Sequence, residues 1–152
     1  MAGPAMRQLL AATLLCALAP AADAADSQPA AGEAQLTVTI QGVLPQPSQL
    51  RVGVFDAATY DNPPPAIRQV VDAASPETVV VFDHLVPGRL AVKVHQDLDG
   101  DGEMDTTLIG VPEEPFGLSN NVKPGMSAPG FDETGFDLKP GPNAITIVMQ
   151  EM

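Results

Sequence analysis

The sequence predicts an all-β fold, a sandwich of about seven short antiparallel strands with a long acidic loop rich in proline and glycine. Apolar and polar residues alternate in several segments, and Pro- and Gly-rich turns separate these segments at short intervals. The chain contains 16 Pro and 13 Gly among 152 residues. This length limits the protein to one compact domain.

The first residues are expected to be an export signal rather than part of the domain. An apolar run over residues 9–22 follows Arg7, and small residues at its end form a cleavage site, so residues 1–24 are predicted to be removed. Residues 25–34 contain no large apolar residue and are predicted to be a flexible linker. A single domain then covers residues 35–150. We expect a periplasmic or secreted product with no membrane segment after cleavage.

Seven segments are predicted to form strands. Most of them have an apolar residue at every second position, which is typical of a strand with one buried face. Residues 66–74 fit a helical spacing as well as a short strand, and we favour the strand. The predicted strands cover residues 35–41, 50–54, 66–74, 78–85, 90–95, 131–138 and 144–149.

The aromatic residues divide into two groups by their position. Four phenylalanines fall in predicted strands or directly after one and are expected in the core, namely Phe55, Phe82, Phe131 and Phe136. Tyr60 and Phe116 fall in Pro-rich loops. A loop aromatic either packs locally or stacks on a ligand such as a sugar ring or a peptide side chain.

Charge and cysteine content exclude several classes of function. The chain has 19 Asp and Glu against 7 Lys and Arg, a net charge of −12. Such a chain repels phosphate backbones, and it has no Gly-rich phosphate loop, so nucleic-acid binding is not expected. The same charge favours a monomer. Cys16, the single cysteine, lies in the export signal, so the mature domain must be held by its core or by a bound ion.

The most specific motif is the acidic loop over residues 97–105, DLDGDGEMD. Calcium prefers about six to eight hard oxygen ligands, and side chains at alternate positions of a tight loop converge on one point. Glu103 would offer its backbone carbonyl. The candidate ligands for a structural Ca²⁺ are therefore Asp97, Asp99, Asp101, Glu103 and Asp105.

The loop is not an EF-hand, because Leu108 stands where that motif has a bidentate glutamate and the flanking residues are strand-like. Asp83, Glu113 or Glu114 would then complete the coordination shell. The alternative is an Asp- and Gly-rich turn in which the carboxylates accept backbone N–H groups and face water. Zinc is disfavoured because the mature domain lacks cysteine and has two histidines.

Catalytic motifs are mostly missing from the sequence. Neither Ser119 nor Ser127 lies in a G-x-S-x-G motif. An Asp-His-Ser set can be assembled from the composition alone, so it has little weight. Adjacent glutamates at 113 and 114 point to opposite sides of an extended segment and make a poor acid/base pair. We therefore expect a protein that is not an enzyme.

Four segments together resemble a bacterial extracytoplasmic family catalogued as domain of unknown function 2141. They are residues 82–92 (FDHLVPGRLAV), the acidic loop, residues 110–121 (GVPEEPFGLSNN) and residues 128–132 (APGFD). Leu118 replaces an aromatic residue that is usual in this family. The resemblance implies an immunoglobulin-like or prealbumin-like sandwich. It implies no activity, since the family's function is unassigned.

These observations lead to three functional hypotheses. The first is an exported, non-enzymatic sandwich whose acidic loop binds calcium and whose residues 96–130 are presented to a partner in the cell envelope. The second is a small-ligand binder or carrier with a pocket under residues 96–130, in which Tyr60 and Phe116 would face one concave apolar site. The third is a hydrolase of unrecognised geometry that uses His95, Ser119 or Glu113.

Overall fold

The computed structural model describes residues 30–151. The predicted export signal and the first half of the predicted linker lie outside these residues. The first strand begins at Ala34, one residue before the predicted start of the domain. The strands are β1 (Ala34–Gln41), β2 (Gln49–Phe55), β3 (Ile67–Asp72), β4 (Glu77–Leu85), β5 (Gly88–Asp97), β6 (Phe116–Leu118), β7 (Phe136–Leu138) and β8 (Gly141–Val148).

Two sheets pack against each other, which confirms the all-β sandwich. Sheet 1 has the order β4-β1-β8, and sheet 2 has the order β3-β2-β5-β6, with β7 paired to β5. One pair differs from the antiparallel expectation, because β8 runs parallel to β1. The chain reaches β8 from β7, which pairs in sheet 2, so β8 joins the free edge of β1 without a hairpin.

The core lies between the sheets and follows the alternation of the sequence. In β1 every second residue is fully buried, and β2 and β5 contribute their valines to the same interior. Phe82 of β4 is among the largest side chains buried there. Apolar area removed from water stabilises such an interior by about 25 cal/mol per Å². The main interior residues are Leu36, Val38, Ile40, Leu50, Val52, Val54, Phe82, Leu85, Val92, Val94 and Ile147.

Three segments refine the predicted elements. Residues 67–72 form the strand β3, which confirms the favoured assignment over a helix. The predicted strand over residues 131–138 is wrong in its first half, where a one-turn helix, α1 (Phe131–Thr134), precedes β7. The Glu133 carboxylate accepts the Gly130 N–H, and the Thr134 hydroxyl donates to the Gly130 carbonyl, which stabilises this turn.

An eighth strand lies inside the segment that the sequence predicts to be a loop. β6 begins at Phe116, and a 3₁₀ turn over Ser119–Asn121 follows it. Phe116 also exchanges both backbone hydrogen bonds with Gln150, at 3.0 and 2.6 Å, which ties β6 to the chain beyond β8. In residues 30–151, no helix is long and apolar enough to cross a membrane.

Candidate binding face on sheet 2

The outer face of sheet 2 carries the features that the core does not explain. Residues paired across antiparallel strands share a face, and Arg51 pairs with His95 while Gly53 pairs with Lys93. On the other side of β5, Phe116 pairs with His95. Since the intervening valines point into the core, these side chains all lie on the outer face. Residues 98–130 cross this face in the order acidic loop, β6 and Pro-rich segment.

A second apolar cluster lies on this outer face. It contains Phe55, Tyr60 and Ala91, with Phe131 of α1 packed against them. Tyr60 makes edge contacts with Phe55 and Phe131, at centroid distances of 6.1 and 5.6 Å. Phe55 is therefore buried, and Phe131 partly buried, in this cluster and not in the main core, where the sequence places them. The Lys93 ammonium lies 3.6 Å from the Tyr60 ring centroid and donates to the Tyr60 carbonyl.

An apolar groove of about 410 Å³ opens beside this cluster. Its floor is formed by Tyr60, Lys93, Phe116 and Leu118, and its walls come from residues 104–112 and 124–129. The Tyr60 hydroxyl donates to the Pro129 carbonyl at 2.8 Å, which fixes the second wall to the floor. Tyr60 and Phe116 thus face one concave apolar site, as the small-ligand hypothesis requires.

Large apolar side chains stand exposed along the walls of this groove. Ile109 and Met126 belong to opposite walls and are 87% and 109% exposed, and Leu108 next to Ile109 is fully exposed. An apolar side chain held in water costs free energy that a bound surface recovers. This part of the molecule therefore presents apolar groups that are not used for folding.

In the acidic loop, Asp97 is committed to internal contacts. It is 1% exposed, and one of its oxygens accepts the Gly100 N–H at 2.7 Å. The other accepts the Gly102 N–H at 3.0 Å and forms an ion pair with Arg51 at 2.8 Å. The hydrogen bond from Arg51 holds the pKa of Asp97 below its ordinary value. Asp97 therefore folds the loop onto β2.

Three of the other candidate ligands converge on one point. Carboxylate oxygens of Asp99, Asp101 and Asp105 lie within 4.8 Å of one another. One oxygen each of Asp99 and Asp101 accepts a loop N–H, from Asp101 and Glu103, and leaves the second oxygen for a cation. Desolvation and, after it, repulsion from Asp99 and Asp101 raise the pKa of Asp105. A cation between these groups would relieve the repulsion.

The structure places the remaining candidate ligands in different surroundings. Glu114 is buried, accepts the Leu98 N–H at 2.7 Å, and brings an oxygen within 4.8 Å of Asp97 and Asp99. The side chain of Glu103 belongs to neither carboxylate group. Asp83 lies on β4 and accepts a hydrogen bond from Gln35. Sequence reasoning missed the role of Arg51, because it lies 46 residues from its partner.

The structure places the three residues of the hydrolase hypothesis in different surroundings. Ser119 is fully buried, where its hydroxyl accepts the Val92 N–H at 2.9 Å and donates to the Thr134 carbonyl. A nucleophilic serine needs a hydroxyl that faces a base and a substrate. Burial lowers the pKa of His95, which favours the neutral imidazole. Glu113 is exposed, and its backbone N–H donates to the Asp105 carbonyl.

Comparison with known families supports the resemblance seen in the sequence. Residues 38–146 match the model of a family described as "uncharacterized protein conserved in bacteria (DUF2141)". The chain belongs to this family. The match begins within β1 and ends within β8, so it includes the acidic loop and both walls of the groove. No curated protein and no solved structure matches the chain.

Proposed function

We propose that the protein is an exported, non-enzymatic binding module of the cell envelope that presents residues 96–130 to a protein partner. The observation that supports this proposal is the groove on the outer face of sheet 2, with Ile109 and Met126 exposed along it and Leu108 exposed next to Ile109. The hydrogen bond from Tyr60 to Pro129 joins the wall that carries Met126 to the sandwich. The groove and its rim form one apolar surface on a strongly acidic protein.

Calcium in the acidic loop fits this proposal because the loop leads directly into one wall of the groove. Asp99, Asp101 and Asp105 are the proposed ligands, and Met104, between the last two, lines the groove. A cation that draws the three carboxylates together would fix the start of that wall. Calcium that binds only the folded chain stabilises it by about 2.7 kcal/mol at a hundredfold excess over Kd. This contribution would offset the missing disulfides.

Site-specific photocrosslinking in intact cells tests the partner. A photoreactive amino acid replaces Ile109 in one variant and Met126 in a second, since both residues line the groove. We expect both variants to give an adduct of the same mass. Val86 provides the matched control, since it is 82% exposed but does not line the groove.

Two outcomes would overturn the partner proposal. One is the absence of an adduct from both groove positions, and the other is an identical adduct from Val86. The triple variant Asp99→Asn, Asp101→Asn and Asp105→Asn adds a test of the calcium contribution. We expect it to weaken the adduct from Ile109. An unchanged adduct would mean that partner binding in the groove does not depend on calcium.

A second candidate function is the binding or carriage of a small apolar ligand in the same groove. The observation that favours it is that Tyr60 and Phe116 both face this groove. Phe116→Ala would then abolish binding of an apolar fluorescent probe, whereas Val79→Ala on the outer face of sheet 1 would leave it intact. Equal probe binding by both variants would contradict the small-ligand function.

A further inference from the structure

We propose that a second pocket on the outer face of sheet 2, which shares Lys93 with the groove but is otherwise lined by different residues, binds a small organic oxyanion. The pocket has a volume of about 240 Å³ and lies over β2, β3 and β5. Its lining includes the cations Arg51, Arg68 and Lys93 and the imidazole of His95, and we call it the basic pocket. The recognised chemistry is a carboxylate or phosphate attached to a short apolar group.

The charge distribution is the first observation that supports this site. Residues 30–151 contain six lysines and arginines, and three of them line the basic pocket. None of the described residues that line it is acidic. In a chain of net charge −12, cations scattered over the surface would be surrounded by carboxylates. Half of them instead converge on one concave site, which attracts a small anion.

The strand register produces this convergence. Arg68 and Lys93 both pair with Gly53, so they flank it in one row across the sheet. Arg51 pairs with Val70 on one side and with His95 on the other, which forms the adjacent row. Residues directly opposite each other share a face. The sheet therefore holds the cationic side chains around one glycine.

Gly53 lies at the centre of the pocket and has no side chain to fill it. A Cβ at this position would lie 2.7 Å from the Phe55 ring and 3.2 Å from the Cβ of Pro65. The ring and the proline therefore pack over the glycine and give the pocket an apolar floor. Val70 adds an apolar wall. An oxyanion that carries an aromatic or aliphatic group fits this combination better than a bare inorganic ion does.

Two of the polar groups in the pocket have no ion pair or hydrogen bond to residues 30–151. Arg68 forms no ion pair with any residue of the described chain. The Nε2 atom of His95 is buried and makes no hydrogen bond to any described residue. The Arg68 guanidinium can donate parallel N–H groups to the two oxygens of a carboxylate or phosphate. Lys93 and Arg51 are already oriented, by Tyr60 and Asp97. Because the Asp97 carboxylate offsets the charge of Arg51, the net positive charge of the pocket comes from Lys93 and Arg68.

Titration followed by amide NMR spectra tests the proposal with benzoate and phenyl phosphate as probes. We expect saturable chemical-shift changes at the amides of β2, β3 and β5. Changes confined to residues 124–129 would instead place the probe in the groove. Tighter binding of benzoate identifies a carboxylate site, and tighter binding of phenyl phosphate identifies a phosphate-ester site. Benzyl alcohol is the neutral control and should give no saturable shift in the pocket.

Arg68→Gln provides the decisive variant, because Arg68 is exposed and unpaired and its loss should leave the fold intact. We expect it to weaken anion binding about tenfold, as the loss of a charge-assisted hydrogen bond does. Lys139→Gln removes the same unit charge in an exposed turn outside the pocket and should leave the affinity unchanged.

Each of three results would contradict the proposed anion site. They are the absence of saturable shifts with both anions, equal binding of benzyl alcohol, and equal weakening by Arg68→Gln and Lys139→Gln. The test needs neither calcium nor the protein partner.

Discussion

The two faces of sheet 2 are built from the same strands but serve different purposes. Its inner face consists of valines and leucines that are almost fully buried against sheet 1. Its outer face carries cations, a small aromatic cluster, an apolar groove and a histidine nitrogen without a partner. The inner face is explained by burial alone. The outer face contains groups that folding does not satisfy, and both proposed binding sites lie there.

In these strands, alternate residues serve stability and recognition. One residue in two points inward and is fixed by packing, so the next residue is free to carry charge or to contact a ligand. Arg51, Gly53, Lys93 and His95 all occupy such outward positions. Substitutions on the two faces should therefore differ in kind.

The largest expected effect is in the interior. Phe82→Ala removes a ring that is 1% exposed and should lower the free energy of unfolding by about 3–5 kcal/mol. Val79→Ala changes a residue of the same strand that is 54% exposed, and its effect should stay within about 0.5 kcal/mol. Urea denaturation measures both values. Similar values for the two variants would contradict the assigned inner face.

A smaller effect is expected where β6 meets sheet 1. Gly117 points inward, and a Cβ at this position would collide with the Cγ2 of Ile147, which is fully buried. Gly117→Ala should therefore destabilise the fold by about 2 kcal/mol through overpacking. Gly125→Ala is the matched control, because nothing lies within 4 Å of its added Cβ. Equal thermal midpoints for the two variants would place β6 outside the sandwich.

The smallest of these effects is expected at the ion pair between Arg51 and Asp97 on the outer face. Asp97→Asn keeps the shape of the side chain but removes its charge beside Arg51, and should cost about 1.5 kcal/mol at pH 7 in the presence of chelator. The hydrogen bond from Arg51 lowers the pKa of Asp97 in the folded state. Its contribution is thus fully present above the ordinary value of 3.8 and is lost as the pH falls through the lowered value.

Denaturant midpoints from pH 7 to pH 3 test this dependence. The difference between the wild type and Asp97→Asn should remain constant down to about pH 5 and narrow below about pH 4. Asp101→Asn is an exposed control from the same loop, and its stability difference from the wild type should not narrow in this way as the pH falls. A difference that grows as the pH falls would mean that the ion pair does not lower this pKa.

The sequence predicts the regular part of this fold because alternation depends on neighbouring residues. Leu36, Val38 and Ile40 show it without ambiguity. β6 has three residues, too few for a period, so it was predicted as loop. The carboxamide of Gln96 bonds both backbone groups of Leu44 from a fully buried position, and no local pattern reveals this contact.

The candidate sites were predictable only where their residues are adjacent in sequence. The acidic loop is one continuous motif, and its spacing identifies the aspartates that converge. The basic pocket joins β2, β3 and β5, so its residues become neighbours only through strand register. Arg51 contacts Asp97 for the same reason, and the sequence offers no signal for that pair.

The central claim is that calcium orders the acidic loop that leads into the wall of the groove. Calorimetric titration of calcium into chelator-treated protein tests it most directly. We expect saturable calcium binding to one site, and we expect the triple variant Asp99→Asn, Asp101→Asn and Asp105→Asn to lose it. Glu103→Gln, the control from the same loop, should retain it. The absence of binding at millimolar calcium, or undiminished binding by the triple variant, would contradict the claim.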